Sequence, residues 1–275
     1  MESAFYERSG QDTYVATAAT AGPWSPDAQH GGPPSALAAK AIEEHEPDGR
    51  QRLARVTIDI LRPVPVGKVV IRTRTVRPGR RVTLVEALME AGGQEVLHAR
   101  GWRIERSAEI VPVVPDGDPP PPLPGSSAAL PTQIFTPDQE GYLASIEWRF
   151  LAAGLSQRGA PGRAAWTRPR IPLLAGEDTA PMSRALLVAD SGSGVGAVLP
   201  SSRYLFINVD LSVILARDPA GEWLLLESST TVGSDGTGLA ATRLSDPAGA
   251  FGRGLQTLLI SPRQHPGQAS SGNAG

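Results

Sequence analysis

The chain carries one unit written twice, and that constrains its fold more than any other feature of its 275 residues. Residues 55–106 begin RVTIDILRPVPVGKVVIRTRTV, pass a basic turn and continue LVEALMEAGGQEVLHARGWRIER. Residues 206–263 repeat the plan as FINVDLSVILARDPAGEWLLLESSTTV, a Gly/Asp-rich turn, and GLAATRLSDPAGAFGRGLQTLLISPR. Each copy has an apolar strand with one embedded acid (Asp59, Asp210), a Pro- or Gly-bearing turn, then further strands that stop at an arginine (Arg106, Arg263). Two copies are too few for a solenoid, so a duplicated domain is the expectation. Only one copy then has to keep any given chemical group.

Pro and Gly mark the boundaries. Residues 107–133 hold VPVVPDGDPPPPLPGSSAALPTQ, which has little to bury and whose prolines block helices and ladders; it reads as an extended connector. The expected organisation is a first domain over 1–108, a linker over 109–133, a second domain over 134–263 and a disordered Ser/Gly/Gln-rich tail over 264–275. In each domain a helix precedes the strands. Gly31-Gly32-Pro33-Pro34 leads into SALAAKAIEEHE, and Pro181-Met182 leads into SRALLVADSGSGVGAVL, whose glycines weaken its second half. A helix followed by antiparallel strands with tight turns predicts an α+β fold in which the sheet wraps the helix.

Composition excludes several chemistries. The absence of cysteine removes disulfides, thiolate zinc and a Cys nucleophile, and four scattered histidines make a multi-His metal centre an unsuitable reading. A net charge of −2 argues against wholesale nucleic-acid binding. The first ten residues lack the apolar core of a signal peptide, and no apolar run approaches the roughly 20 residues of a membrane span, so a cytoplasmic location is expected.

Several short motifs, in order, carry a resemblance. They are Gly22-Pro23-Trp24, His30-Gly31-Gly32-Pro33-Pro34, RPVPVG at 62–67 and the Arg-Pro-Gly-Arg turn at 77–80. The second half adds Val209-Asp210-Leu211, GEWLLL at 221–226, Thr231-Val232-Gly233 and GRGLQ at 252–256. Across nearly the whole chain outside the connector and tail, this order resembles the TesB-like acyl-CoA thioesterases. That resemblance implies a double hotdog fold, hydrolysis of an acyl thioester such as acyl-CoA, and no metal or redox cofactor. It also makes a homo-oligomer, a dimer at the simplest, a natural expectation, because sheets leave edges that pair.

The residues that could carry chemistry fall into four groups. Asp210 interrupts an apolar strand, where a carboxylate is expensive to bury without partners, although a strand acid can also face water. The resemblance makes it the water-activating aspartate. Gln256 and a hydroxyl, Ser229 or Thr230, would hold the water; alternation lets only one of the two hydroxyls face the site. His30, Gly31 and Gly32 open the first helix, where free N–H groups suit a developing oxyanion, and equally suit a tight packing turn. Arg77 and Arg80 could meet CoA phosphates or simply be a solvated hairpin. The first copy offers only Ala99-Arg100-Gly101 near the place of Gln256, so a single live site in the second half is expected. The chain departs from the family pattern at Leu211, Ile214 and Ala216, where relatives often carry histidine. Two other classes therefore stay open at this point: a non-catalytic acyl-binding protein and a hotdog hydratase or dehydratase. Acyl length, and CoA against a carrier protein, are not written in these motifs.

Overall fold

The computed structural model describes residues 2–107, 109, 111–125, 140–151 and 162–263. Ile134, where the second domain was expected to start, and the tail from 264 lie outside the described residues, as does 126–133 of the connector. Along the first half run β1 (Tyr6–Arg8), β2 (Thr13–Ala16), α1 (Gly32–Glu44), β3 (Gln51–Ile60), β4 (Lys68–Arg77), β5 (Val82–Ala91) and β6 (Gln94–Glu105). The second half follows with α2 (Gly141–Ser145), β7 (Ile146–Phe150), β8 (Gly162–Pro169), α3 (Pro181–Ala189) and α4 (Gly192–Val195). It closes with β9 (Tyr204–Asn208), β10 (Asp210–Leu215), β11 (Leu224–Val232), β12 (Thr237–Asp246) and β13 (Gly249–Pro262).

The strands form one antiparallel sheet in the order β1-β2-β4-β5-β6-β3-β10-β13-β12-β11-β8-β7, with β9 also on β13. The halves are joined at the middle, where β3 and β10 pair antiparallel with Val56 opposite Val213 and Asp59 opposite Asp210. Both main helices open on prolines in their first turn, where a missing N–H costs nothing. They pack against each other on one face of the sheet. Leu37, Ile42, Leu186 and Leu187 are fully buried there, each removing side-chain area worth about 1.5–3 kcal/mol from water. One hydrophobic cluster runs through both halves, so the duplicated units share a core.

The stretch read as one strand, LFINVDLSVIL, is interrupted. Asn208 faces Leu258 on β13 while Ser212 faces Leu255, so four steps along one strand oppose three along the other. That extra residue is a β-bulge, which re-aims the side chains on either side of it. Phe206 and Asn208 turn toward the helix side before the bulge; Leu211 and Val213 do so after it, which leaves Asp210 on the outer face.

Candidate active site

Beside the bulge, α1 begins and α3 ends around a cavity of about 510 Å³. Its walls are mostly apolar, with Ile60, Leu97, Leu143 and Phe206 among them, and its polar groups converge from His30, Asp190, Ser193 and Asn208. A mainly apolar cavity with a few aimed polar groups is the usual form of a small-molecule site.

Asp190 is the centre of that polar group. It ends α3, where the helix dipole disfavours a negative charge, and it is only 5% exposed. Three N–H donors offset the cost. Asn208 Nδ2 donates to Oδ1 at 2.8 Å, Gln256 Nε2 lies 3.3 Å from the same oxygen, and His30 Nδ1 is 3.0 Å from Oδ2. Gln256 also donates to the Asp190 carbonyl at 3.0 Å and accepts from the Ser193 amide at 3.0 Å, which ties the strand to α4. Gly31 has to be glycine for this contact, since a Cβ there would come within 2.8 Å of both carboxylate oxygens.

His30 stacks on Tyr142 with ring centroids 3.7 Å apart and planes 10° from parallel. Burial lowers its affinity for a second proton, against a smaller opposing pull from Asp190, so the imidazole is neutral. Its Nδ1 also lies 3.1 Å from the Gly32 amide. One nitrogen cannot donate and accept at once. With the proton on Nε2 the Nδ1 lone pair would face the Asp190 carboxylate, so the proton is assigned to Nδ1, which donates to Asp190.

The structure brings some of the sequence-predicted residues together and separates others. Gln256, His30 and Gly31 meet at Asp190, with Gly32 directly behind His30. Asp210 does not join them. Its carboxylate bonds the interior of β13 on the outer face, accepting from Thr257 N at 2.5 Å and from Thr257 Oγ1 at 3.2 Å. Gln256 and Thr257 are successive strand residues, so their side chains leave on opposite faces. Of the two hydroxyl candidates, Ser229 takes the outer face. Thr230 takes the inner one, in a row with Ala240 and Gln256. Thr230 lines a separate small cavity with Ser193 and Phe206, and its buried Oγ1 has no hydrogen-bond partner. Ser228, not singled out before, bonds Thr242 Oγ1 at 2.9 Å beneath the site.

Arg77 and Arg80 sit on the β4–β5 turn, away from the cavity. Arg77 donates to Val82 O at 2.9 Å and lies 5.9 Å from the Trp102 ring. Trp102 pairs with Arg55, whereas the cavity touches Ile60, five residues and roughly 17 Å further along β3. Among the described residues the arginine that lines the cavity is Arg62, whose Nη1 donates to Glu95 O at 2.9 Å, and Arg263 lies 5.3 Å from the ring of Trp24, another lining residue. Asp190 and Asn208 were missed. An acid closing an apolar helix at its unfavourable end was a legible signal for Asp190; the bulge that turns Asn208 inward had none.

Two fused helix-on-sheet units with a polar cluster at the junction of helix and sheet make up a double hotdog fold. Residues 20–104 match the acyl-CoA thioesterase N-terminal domain and residues 115–260 match the acyl-CoA thioesterase C-terminal domain. The chain belongs to the acyl-CoA thioesterase family. Among solved structures it is similar to a putative thioesterase II from Thermobifida fusca YX, at 18% identity over 94% of this chain and 96% of that one, with a TM-score of 0.72. It is also similar to the acyl-CoA thioesterase II TesB2 of Mycobacterium marinum, at 15% identity over 96% and 97% of the two chains and a TM-score of 0.67. A tesB protein of Mycobacterium avium subs paratuberculosis aligns at 18% identity over 94% and 96%, with a TM-score of 0.65. No curated protein matches by sequence. Among the described residues no helix is long and apolar enough to cross a membrane.

Proposed function

We propose that this enzyme hydrolyses acyl-CoA by general-base attack of water, with Asp190 as the base. The observation that carries the reading is a buried carboxylate, oriented by three N–H donors, at the wall of an apolar cavity. Asp190 takes a proton from water as its oxygen attacks the thioester carbon. The tetrahedral intermediate then expels the sulfur, which receives that proton, giving free acid and thiol. Gln256 and Asn208 hold the carboxylate in place, and Gln256 also anchors α4 through Ser193.

The oxyanion falls to the start of α1. Pro33 and Pro34 have no N–H, the Ser35 amide is used on Gly31 O, and Gly32 does not line the cavity. That leaves the Gly31 amide, at the cavity wall, as the backbone donor from this turn. The acyl group takes the apolar wall lined by Ile60, Leu97 and Leu143. The CoA phosphates take the mouth, where Arg62 and Arg263 stand beside Trp24.

Thiol release from a panel of acyl-CoAs tests the assignment. Asp190→Asn is expected to lower kcat/KM about 10³-fold, within the usual range for a lost general base. Asp210→Asn, on the outer face, is expected to stay within about threefold of wild type, the rate equivalent of well under 1 kcal/mol. Collapse in the Asp210 variant with turnover retained in the Asp190 variant would return the chemistry to the other face.

Self-association through the outer sheet face is part of the same reading. The edge strands, β1 and β7, are short, which discourages edge pairing. The outer face of the second half instead exposes Ile207, Ile214, Leu239, Leu255 and Leu259. A row with Arg55 and Arg253 lies on one side of Leu255, and a row with Asp59 and Asp210 on the other. A two-fold axis crossing the strands between these rows sets the basic row of one copy against the acidic row of its partner. Leu239→Lys with Leu255→Lys is expected to yield monomers in sedimentation equilibrium, and a wild-type monomer would remove this surface from consideration.

A further inference from the structure

Tyr142 is fully buried, belongs to neither repeat, and touches His30 and Ser191, the neighbour of Asp190. It lies on α2, just beyond the connector, with its amide bonded to Ala21 O at 2.9 Å in the first half. Its ring is the one stacked on His30. Its hydroxyl donates to Leu187 O at 2.7 Å and meets Ser191 Oγ at 2.9 Å. The α-helical partner of that carbonyl would be the Ser191 amide, which turns back to Val188 O at 3.0 Å instead. Leu187 O is thus one of the orphan acceptors of a helix end, and Tyr142 satisfies it. With its one proton on Leu187, the phenol oxygen is free to accept from Ser191, the residue next to Asp190.

We propose that Tyr142 is a positioning residue of the active site: its ring sets the plane of His30 and its hydroxyl fixes the end of α3, so that Nδ1 and the Asp190 carboxylate stay in register. The inference rests on Asp190 as the base. The His30 contact supplies the Nδ1–H that orients Oδ2, and an imidazole turned out of the plane set by Tyr142 withdraws that donor. Tyr142 also covers His30 from water. The titratable groups facing His30 are Asp190, from the end of α3, and Tyr142, from α2. Burial holds the phenol far above its ordinary ionisation range, so the hydroxyl remains a donor throughout the working pH range.

The test follows the His30 imidazole itself. Its proton resonance is assigned by its loss in His30→Asn and titrated in wild type, Tyr142→Phe and Tyr142→Leu, alongside kcat and KM against pH. Tyr142→Phe keeps the ring; its His30 midpoint is expected to stay at the wild-type value while kcat falls about 3–10-fold at unchanged KM, as for one lost buried hydrogen bond. Tyr142→Leu opens His30 to water, and its midpoint is expected to rise by about one pH unit as desolvation is relieved while the pull of Asp190 stays. The acid limb of kcat moves up with it, because a doubly protonated His30 holds the Asp190 carboxylate in an ion pair and away from the attacking water. An unmoved His30 midpoint and an unmoved acid limb in Tyr142→Leu overturn the proposal. So does wild-type kcat in Tyr142→Phe, which decides the matter alone should the Leu variant not fold. Turnover surviving in Asp190→Asn would instead sink the base assignment, and the His30 titration distinguishes that failure because it needs no turnover.

Discussion

Counted from the prolines that open the two helices, Asp190 stands nine residues after Pro181, and the residue nine after Pro33 is Ile42. Where the last strand of the second half presents Gln256 to Asp190, the last strand of the first half presents Gly101 to Ile42. A Cβ on Gly101 would come within 2.7 Å of Leu53 Cδ1 and 2.8 Å of Ile42 Cγ2, so that space is already full of hydrocarbon. The end of α3 therefore carries a hydrogen-bonded carboxylate against the sheet, while Ile42, near the end of α1, is packed in hydrocarbon. A buried charge survives only with its whole donor set, and once one member is lost the cheapest repair is to fill the volume. The His30-Gly31-Gly32 turn of the first half contributes to the site of the second.

Placing an acid at Ile42 is the sharpest way to break this comparison. Ile42→Asp is expected to cost about 4 kcal/mol or more in denaturant unfolding, from lost apolar packing and an unpaired buried carboxyl, with no gain in thiol release. Stability close to wild type would mean that the first junction still offers polar partners. The complementary change, Gln256→Leu, imitates the first copy in the second. It is expected to lower kcat about 100-fold, the rate equivalent of the 2–3 kcal/mol that a buried charged acceptor loses with a donor. A change confined to KM would place Gln256 on the substrate instead of on Asp190.

An effect of similar size concerns Glu43, the neighbour of Ile42. Burial, with the charge of Asp218 second, pushes the Glu43 carboxyl up from 4.5 to about 7. Its Oε2 is buried without a hydrogen-bond partner. The folded state therefore holds a proton that the unfolded chain has released. Stability is fully present below about 4.5 and is lost as pH rises to about 7, by about 3 kcal/mol in all. Glu43→Gln is expected to raise Tm by several degrees at pH 8 and to change it little at pH 4.5. Equal effects at both pH values would show that the carboxyl ionises freely in the fold.

Much of this was legible in the chain. The duplication, both helix starts and the antiparallel strands follow from periodicity and turn residues, and the absence of an amide in Ala99-Arg100-Gly101 is read from the first copy directly. Gln256 and His30-Gly31-Gly32 were also legible, because an amide in an apolar strand and two glycines ahead of a proline-opened helix are local signals. Asp210 misled for a physical reason. Alternation gives each strand two faces but does not say which is inner, and a carboxylate in an apolar run looks the same either way. Only the pairing of Ser212 with Leu255 and Asn208 with Leu258 exposes the bulge that turns Asn208 in while Asp210 faces out. The same pairing separates Thr230 from Ser229.

By itself, then, the sequence determined the class of fold, the number of units and the copy that could keep a polar site. Those depend on hydrophobic period, on the φ limits of proline and glycine, and on which residue types exist to be used. Tertiary structure decided which acid serves that site and what surrounds it. Asp190, Asn208, Gln256, His30 and Tyr142 come from five separate elements, and only the packing of α3 against the start of α1 brings their side chains within hydrogen-bond or stacking distance.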